Sequence, residues 1–280
     1  MTKVKIVTDS TADLSEELVK ELGIEVVPLS ITIDGETFLD KVDITQQEFL
    51  AKMKHSVELP KSSQPAVGHF VELYDQLGSD GSEIISIHMT GGMSGTVTSA
   101  ENAANISESN VTVIDSMYIS RALAFQVIEA AKMAKAGETK EQIVKRINEI
   151  RENSTLFVTV DTLENLVKGG RIGKGKAFIG SLLNIKPIAS LQDGVYTPVS
   201  KVRSHAQIVK YLSKKFAEDV SNKTIKGVAI AQVDAIELAT NLKEAIKKLT
   251  GYENVDIVET TPVISTHTGP GAIGFMYYAE

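Results

Sequence analysis

The sequence predicts an α/β protein of two domains, a parallel-sheet domain over residues 1–155 and an α+β domain with a mixed sheet over residues 156–280. The chain has 280 residues, which fits two domains of about 150 residues each. Hydrophobic residues make up 42% of it, enough to build packed cores and to exclude a disordered protein. Short β-branched runs alternate with longer segments of helical period, which is typical of crossover helices that join parallel strands.

The first domain is predicted to contain four strands with helical segments between them. The strands are Val4–Thr8, Glu25–Ile33, Glu83–His88 and Val111–Asp115, and the helical segments are Leu14–Leu22, Val67–Leu77, Gly95–Ala104 and Ser120–Ala136. A further amphipathic helix over Lys140–Glu152 begins at a capping box of Thr139 and Gln142. This helix is expected to close the first domain.

The second domain is predicted to begin with a strand at Leu156–Val160. A glycine-rich segment over Gly169–Lys176 and a short helix to Leu183 follow it. Asp193-Gly194 then predicts a hairpin, because this dipeptide favours the tight turn between two strands. The remaining predicted elements are strands Ile188–Leu191 and Val195–Val202, a helix that begins at Ser204, strand Val228–Val233, helix Ala235–Leu249 and strand Val255–Val263.

Charge, cysteine content and hydropathy exclude several classes of protein. Lys and Arg total 29 against 36 Asp and Glu, and the net charge of −7 disfavours nucleic acid as a partner. The sequence has no cysteine, and its five histidines lack H-x-H or H-x-x-x-H spacing, so we expect no metal site. No apolar run approaches the roughly 18 residues that cross a bilayer, and no signal peptide is recognised, so we expect a cytoplasmic protein.

A glycine-rich turn over Thr90–Thr96 joins a predicted strand to a predicted helix. Its N–H groups and the Ser94 hydroxyl would lie at a helix N-terminus, where unpaired donors and the helix dipole stabilise an anion. A nucleotide site is disfavoured, because the Walker lysine is absent and G-x-G-x-x-G is not matched. The alternative interpretation is a tight turn that only connects the strand to the helix.

Two other polar segments have both a structural and a functional interpretation. Asp9–Asp13 follows a predicted strand, so its carboxyl and hydroxyl groups either join the same sheet edge or cap the next helix. Ser62–Pro65 supplies two hydroxyls, but its proline is equally suited to begin the helix at Val67.

His267 lies in a predicted loop that is rich in glycine and hydroxyl groups, over Ser265–Ala272. We expect this histidine to face a ligand and to change its charge near neutral pH. The other histidines are expected to be solvated or to lie at helix ends, as for His55, His69 and His205, or to be packed in a strand, as for His88.

Four cations, Lys168, Arg171, Lys174 and Lys176, lie within nine residues of the glycine-rich segment. They either form a solvated loop or face a phosphate or a protein partner, because arginine suits bidentate recognition of such groups. Lys201 and Arg203 would extend the second kind of surface.

Five of these motifs together resemble the bacterial DegV family, and they occur in the family's order over nearly the whole chain. They are Val7–Leu14, Ser63–Pro65, Thr90–Thr96, Gly169–Ile172 and His267–Gly271. The resemblance implies a fatty acid held between two α/β domains. It also implies the role of acyl-binding subunit of the bacterial fatty acid kinase, with phospholipid synthesis as the destination of the acyl phosphate.

The resemblance further implies a set of site residues. Ser94 and His267 are expected to meet the fatty acid carboxylate, assisted by Ser62, Gly95 and Thr266. Ser62 occupies a position where the family has threonine, so the hydroxyl is retained and the methyl is lost; Ala66 stands where a polar residue is common. Separately from the resemblance, the basic residues Arg171, Lys174, Lys176 and Arg203 are expected, from their charge, to contact the kinase subunit or its phosphates.

The same resemblance places the cofactors on the partner. The chain would have no cofactor of its own beyond the bound fatty acid, and ATP and Mg²⁺ would belong to the kinase subunit. Transient membrane contact would serve lipid exchange. Apolar residues after the glycine-rich segment are expected to be walls of the lipid tunnel or ordinary core: Phe178, Ile179, Leu182, Leu183, Ile185 and Ile188.

A serine hydrolase remains an alternative interpretation of the same residues. Ser94 would be the nucleophile and His267 the base, since the chain order Ser, Asp, His can be completed by several aspartates. The turn matches the G-x-S-x-G elbow only in part, because Thr96 replaces its second glycine.

Overall fold

A computed structural model describes residues 3–178 and 185–280, and within them the strands form three sheets. The strands are β1 Val4–Asp9, β2 Ile24–Val27, β3 Ser30–Ile33, β4 Glu36–Leu39, β5 Lys61–Ser63, β6 Glu83–His88, β7 Val111–Asp115, β8 Ser154–Thr159, β9 Lys186–Gln192, β10 Val195–Val202, β11 Ile225–Gln232, β12 Asp256–Glu259 and β13 Ile273–Ala279. The helices are α1 Glu16–Leu22, α2 Gln46–His55, α3 Val67–Gly78, α4 Thr96–Ile106, α5 Ser120–Lys135, α6 Lys140–Asn153, α7 Glu164–Lys168, α8 His205–Asp219, α9 Ile236–Thr250 and α10 Pro262–Thr268.

The first sheet is parallel, with the strand order β2-β1-β6-β7. Helices cover both of its faces. On one face Ile6 and Ile85 pack with Leu123 of α5, and on the other Ile84 packs with Phe70 of α3. Crossover helices on both faces explain why these strands are apolar on both sides.

The second sheet is mixed, with the order β10-β9-β8-β13-β11-β12. Only β11 and β12 pair in parallel, and the other neighbours are antiparallel. Helices α8 and α9 cover one face, while Ala122 and Phe125 of α5 pack on the other, against Leu156 and Met276. Helix α5 therefore contacts both sheets and fixes one against the other.

The predicted fold class is confirmed, because a parallel N-terminal sheet is followed by a mixed C-terminal sheet. The domain boundary between residues 155 and 156 stays a prediction. The capping box at Thr139 and Gln142 is also present at the start of α6. No helix of the described ranges combines the length and the hydropathy needed to cross a bilayer.

Two predicted strands are too long. The predicted strand Glu25–Ile33 is two strands, β2 and β3, which separate at Pro28 because proline has no N–H to donate to a neighbouring strand. Strand β3 pairs instead with β4 and β5 in a separate three-stranded sheet with the order β4-β3-β5. Val255–Val263 ends as a strand at Glu259, because Thr261 caps α10 and Pro262 occupies its first turn.

Other elements have no counterpart in the sequence analysis. Strand β13 lies between β8 and β11 in the second sheet, and helix α2 lies in the chain between β4 and β5 of the small third sheet. The glycine-rich segment contains a 3₁₀ helix over Gly173–Phe178. The predicted short helix towards Leu183 lies largely outside the described residues.

Candidate functional site

An apolar cavity of ≈ 60 Å³ lies between strands β8, β9 and β10 of the second sheet, helix α10 and the segments that follow β6 and precede α5. A second cavity of ≈ 30 Å³ adjoins it, and the two share Ile119, Leu156, Val158, Ile264 and Thr268 as lining residues. The other apolar residues of the larger cavity are Leu29, Met89, Met93, Leu166, Leu191 and Val263. Its walls thus come from segments that are far apart in the chain.

The polar residues of the larger cavity form a connected group. Oγ of Ser62 lies 2.7 Å from Nε2 of His267, and Gly169 packs against the opposite ring nitrogen, Nδ1. Arg171 donates from Nη1 to the Gly169 carbonyl at 2.6 Å and from Nε to the Met93 carbonyl at 3.0 Å. Ser94 follows Met93 directly, so hydroxyl, imidazole and guanidinium groups gather in one part of the cavity.

His267 is neutral at physiological pH. Burial, together with the nearby Arg171 guanidinium, lowers the pKa of its imidazole to about 4. The prediction that His267 changes its charge near neutral pH is therefore wrong for the protein without a bound anion. The histidine also lies at the end of α10 and not in a loop.

Nδ1 of His267 is buried and has no hydrogen-bond partner among the described residues. Arg171 is half-buried, and its guanidinium is the cation that lines the cavity within the described ranges. A positive charge beside a ring nitrogen with an unused hydrogen-bonding position suits a carboxylate, which binds strongly to charged donors.

Ser94 and Gly95 lie at the start of α4. Oγ of Ser94 accepts from the Thr96 N–H at 3.3 Å and lies 2.8 Å from the Thr96 hydroxyl. A Cβ at Gly95 would overlap the side-chain amide of Gln64, which donates to Ser99 at 2.9 Å. The missing side chain of Gly95 thus lets the Ser-Gln-Pro segment pack on the glycine-rich turn.

The sequence profile of the DegV family matches residues 3–280. This chain belongs to the DegV family. A DegV domain-containing protein of Staphylococcus aureus (strain MRSA252) is 46% identical over 276 residues, which cover 99% of each chain. The family resemblance read from five motifs is confirmed.

Solved DegV structures share the whole fold of this chain. A DegV family protein from Thermus thermophilus, described by its fatty acid binding, has a TM-score of 0.93 at 30% identity and covers 100% of both chains. DegV from Bacillus subtilis, described as a fatty acid binding protein, has a TM-score of 0.90 at 30% identity, again over 100% of both chains.

Thr266 and most of the predicted partner contacts lie outside the cavity. The Thr266 hydroxyl donates to the Pro262 carbonyl within α10 at 2.9 Å, and Thr268 lines the cavity instead. Three of the four cations expected to face a partner are exposed to solvent: Lys174, Lys176 and Arg203. The fourth, Arg171, lies in the cavity.

The expected tunnel walls fall largely outside this cavity or outside the described structure. Ile188 is fully buried in the core under α8 and α9. Ile185 is half-buried and does not line the cavity. Ile179, Leu182 and Leu183, and the side chain of Phe178, lie outside the described residues.

Buried carboxyl groups of the N-terminal half hold the start of α10. Asp13 accepts from the Thr261 N–H at 3.0 Å and from the Thr260 hydroxyl at 2.9 Å. Asp40 accepts from the Ser10 hydroxyl at 2.6 Å and from the Val263 N–H at 3.4 Å. These carboxyls fix the helix that carries His267.

Asp9 has a structural role as well. It caps the 3₁₀ helix of Ser10–Ala12, and it accepts from the Met89 N–H at 2.9 Å and from His88 at 3.1 Å. The capping interpretation of the Asp9–Asp13 segment is therefore the better one, and His88 is packed as expected. Asp40 was not predicted as a residue that supports the site. The one signal for it in the sequence is its position directly after strand β4.

Burial raises the pKa of Asp40 from 3.8 to about 7. Its protonation in the folded state contributes stability that is fully present below pH 3.8 and is lost as the pH rises through about 7. Asparagine at this position does not titrate. We therefore expect the unfolding free energy of the wild type to fall relative to Asp40→Asn by about 2 kcal/mol between about pH 5 and 8.

Urea unfolding of both proteins at the two pH values measures this difference. Asp193→Asn removes an exposed carboxyl from a turn and is the matched control, with no such change expected. An identical pH dependence in wild type and Asp40→Asn would show that Asp40 is not protonated in the folded protein.

The serine hydrolase alternative is not supported. Oγ of Ser94 is paired with Thr96, and Nε2 of His267 is paired with Ser62. No carboxylate of the described ranges bonds to Nδ1 of His267, so nothing there orients the ring as a base. The same ranges contain no group of three or more residues arranged to hold a metal ion.

Proposed function

We propose that this protein binds a long-chain fatty acid and presents its carboxylate to a separate ATP-dependent kinase subunit, which converts it to an acyl phosphate for phospholipid synthesis. The observation that carries the proposal is the cavity itself, where Ser62, Ser94, Arg171 and His267 gather within an otherwise largely apolar lining. Relatives described as fatty-acid-binding share the fold over the whole chain.

The head group would be held by the connected polar residues. Arg171 supplies the positive charge, since its guanidinium is already fixed by two carbonyl oxygens. His267 in its neutral form donates or accepts through Nδ1, and a bound carboxylate would raise its pKa. Ser94 and Ser62, which also line the cavity, would add hydroxyl donors.

The alkyl tail would supply most of the affinity, at about 0.8 kcal/mol for each buried CH₂. A cavity of ≈ 60 Å³ holds about five groups the size of a water molecule. An alkyl chain of ~16 carbons contains more groups than the cavity can hold, so binding of the chain requires the lining side chains to move apart. Met89 and Met93 suit this, because unbranched thioether side chains repack at low cost.

The polar part of the cavity is also reached from outside. A wider cleft of ≈ 680 Å³ is lined by Ser62, Arg171 and His267, the same three residues that line the cavity. Lys61 and Lys168 stand at this cleft. A carboxylate held at this point is accessible to a phosphoryl donor on a second protein while the tail stays buried.

The kinase subunit would supply ATP and Mg²⁺, since the chain carries no Walker motif. The proposed contacts to that subunit or to its phosphates are the exposed cations Lys174, Lys176 and Arg203, together with Arg171, which also lines the outer cleft. The role places the protein in the cytoplasm, with brief membrane contact for lipid exchange.

Reconstitution tests the proposal. Palmitate and ATP are incubated with this protein, with a bacterial fatty acid kinase subunit, or with both, and acyl phosphate is trapped with hydroxylamine. Product is expected only when both proteins are present. Product from this protein alone, or none from the pair, would contradict the proposal.

The double variant Lys174→Glu with Lys176→Glu should reduce the amount of acyl phosphate formed with the kinase subunit, while its affinity for palmitate stays unchanged.

Gly169→Ala is expected to lower palmitate affinity about tenfold. Gly169 has φ −76°, which suits alanine, but its Cβ would overlap Nδ1 of His267 and approach the Asn165 carbonyl to 2.9 Å. The imidazole must therefore move. Gly68→Ala is the control, because it lies in α3 with no atom within 4 Å of its Cβ position. Equal affinities in isothermal titration would remove His267 from the head-group site.

A further inference from the structure

Tyr196 lines the apolar cavity and carries a buried hydroxyl. The residue is 1% exposed and lies in a core cluster with Ile172 and Leu166, and of these two Leu166 lines the cavity with it. Its hydroxyl has no hydrogen-bond partner among the described residues. Buried tyrosine hydroxyls usually have a partner, because leaving one unpaired costs free energy.

The ring of Tyr196 is held firmly in this position. Tyr196 pairs with Leu191 across the β9–β10 ladder, and a Cβ at Gly175 would lie 2.9 Å from the ring. The hairpin turn before it is tied to the glycine-rich turn, where the Thr90 hydroxyl donates to the Gly194 carbonyl at 3.0 Å. The hydroxyl is therefore placed by the fold and is not free to turn to solvent.

The chemistry of the hydroxyl makes it a donor. Burial raises the pKa of the Tyr196 phenol above its ordinary value, so the proton stays on the oxygen at every physiological pH. Arg171, the cation that lines the cavity within the described residues, is itself a donor and already donates to two carbonyl oxygens. A phenol in an apolar space needs an acceptor that arrives with the ligand.

We infer that the Tyr196 hydroxyl donates a hydrogen bond to an oxygen atom of the bound fatty acid, an inference that rests on the proposed function. The acceptor is either a carboxylate oxygen, beside Ser94 and His267, or a hydroxy or oxo group on the acyl chain. In the first case Tyr196 is a further head-group residue. In the second it determines specificity for oxygenated chains.

Tyr196→Phe removes this oxygen and leaves the ring in place. Dissociation constants for palmitate and for 12-hydroxystearate are measured with the delipidated wild type and the variant. A loss of about fivefold for both acids assigns the hydroxyl to the carboxylate. Unchanged palmitate affinity with a loss of about fivefold for the hydroxy acid assigns it to the chain.

Unchanged affinities for both acids would overturn the inference. Failure of the wild type to bind either acid would instead overturn the proposed function, so the two failures are distinct. Thermal unfolding without ligand should show the variant to be as stable as the wild type or more so, because an unpaired hydroxyl has been removed. Tyr118→Phe is the control: its hydroxyl donates to the Ser154 carbonyl at 2.6 Å, so its loss should lower stability and leave both affinities unchanged.

Discussion

Val158→Phe is expected to abolish retention of a long-chain fatty acid, with a fall in palmitate affinity of at least about 100-fold. Val158 lies in β8 and lines both apolar cavities, so a phenylalanine ring there would occupy the space between them. Exclusion of about four methylene groups removes about 3 kcal/mol of burial.

Isothermal titration with palmitate measures the loss. Thermal unfolding establishes that the variant is folded, since overpacking of a core costs about 1–3 kcal/mol. Val199→Phe is the matched control, because Val199 is 38% exposed on β10 and lies away from the cavity. Full palmitate affinity in Val158→Phe would mean that the tail lies elsewhere.

Arg171→Met is expected to weaken palmitate binding by about 10- to 100-fold while binding of hexadecanol changes little. The guanidinium is the positive charge of the cavity, and hydrogen bonds to charged groups contribute about 1.5–3 kcal/mol. The neutral alcohol keeps the alkyl chain and lacks the charge, so the comparison isolates the head group.

The control for this prediction is Lys174→Met, which removes an exposed cation of the same segment. Its affinities for both ligands should equal those of the wild type. Equal losses for acid and alcohol in Arg171→Met would contradict the assignment, because they would show that Arg171 only supports the Met93 and Gly169 carbonyls. The pKa of His267 should rise in the variant, since the guanidinium lowers it.

Local patterns in the sequence predict much of this fold. The crossover helices and the parallel strands follow from alternating β-branched runs and helical periods, and the Thr139 cap follows from its spacing. Pro28 divides a run of apolar residues that reads as one strand. Strand β13 is buried along nearly its whole length, so it lacks the alternation that marks a half-buried strand.

The candidate site is less readable from the sequence. Ser62, Ser94 and His267 stand out as hydroxyls and an imidazole next to glycines or proline. Tyr196 does not stand out, and Arg171 stands out as a cation that would face a partner. The places of both in the cavity depend on the packing of β10 and of the segment after α7. The low pKa of His267 likewise results from burial by distant residues, which no local pattern reports.

The central claim is that the cavity holds the alkyl tail of one fatty acid. Native mass spectrometry of the protein purified from a bacterial host, before and after addition of palmitate, tests it most directly. The expected result is one fatty acid per chain in the wild type and none in Val158→Phe. A wild-type protein that carries no lipid and takes up no palmitate would contradict the claim.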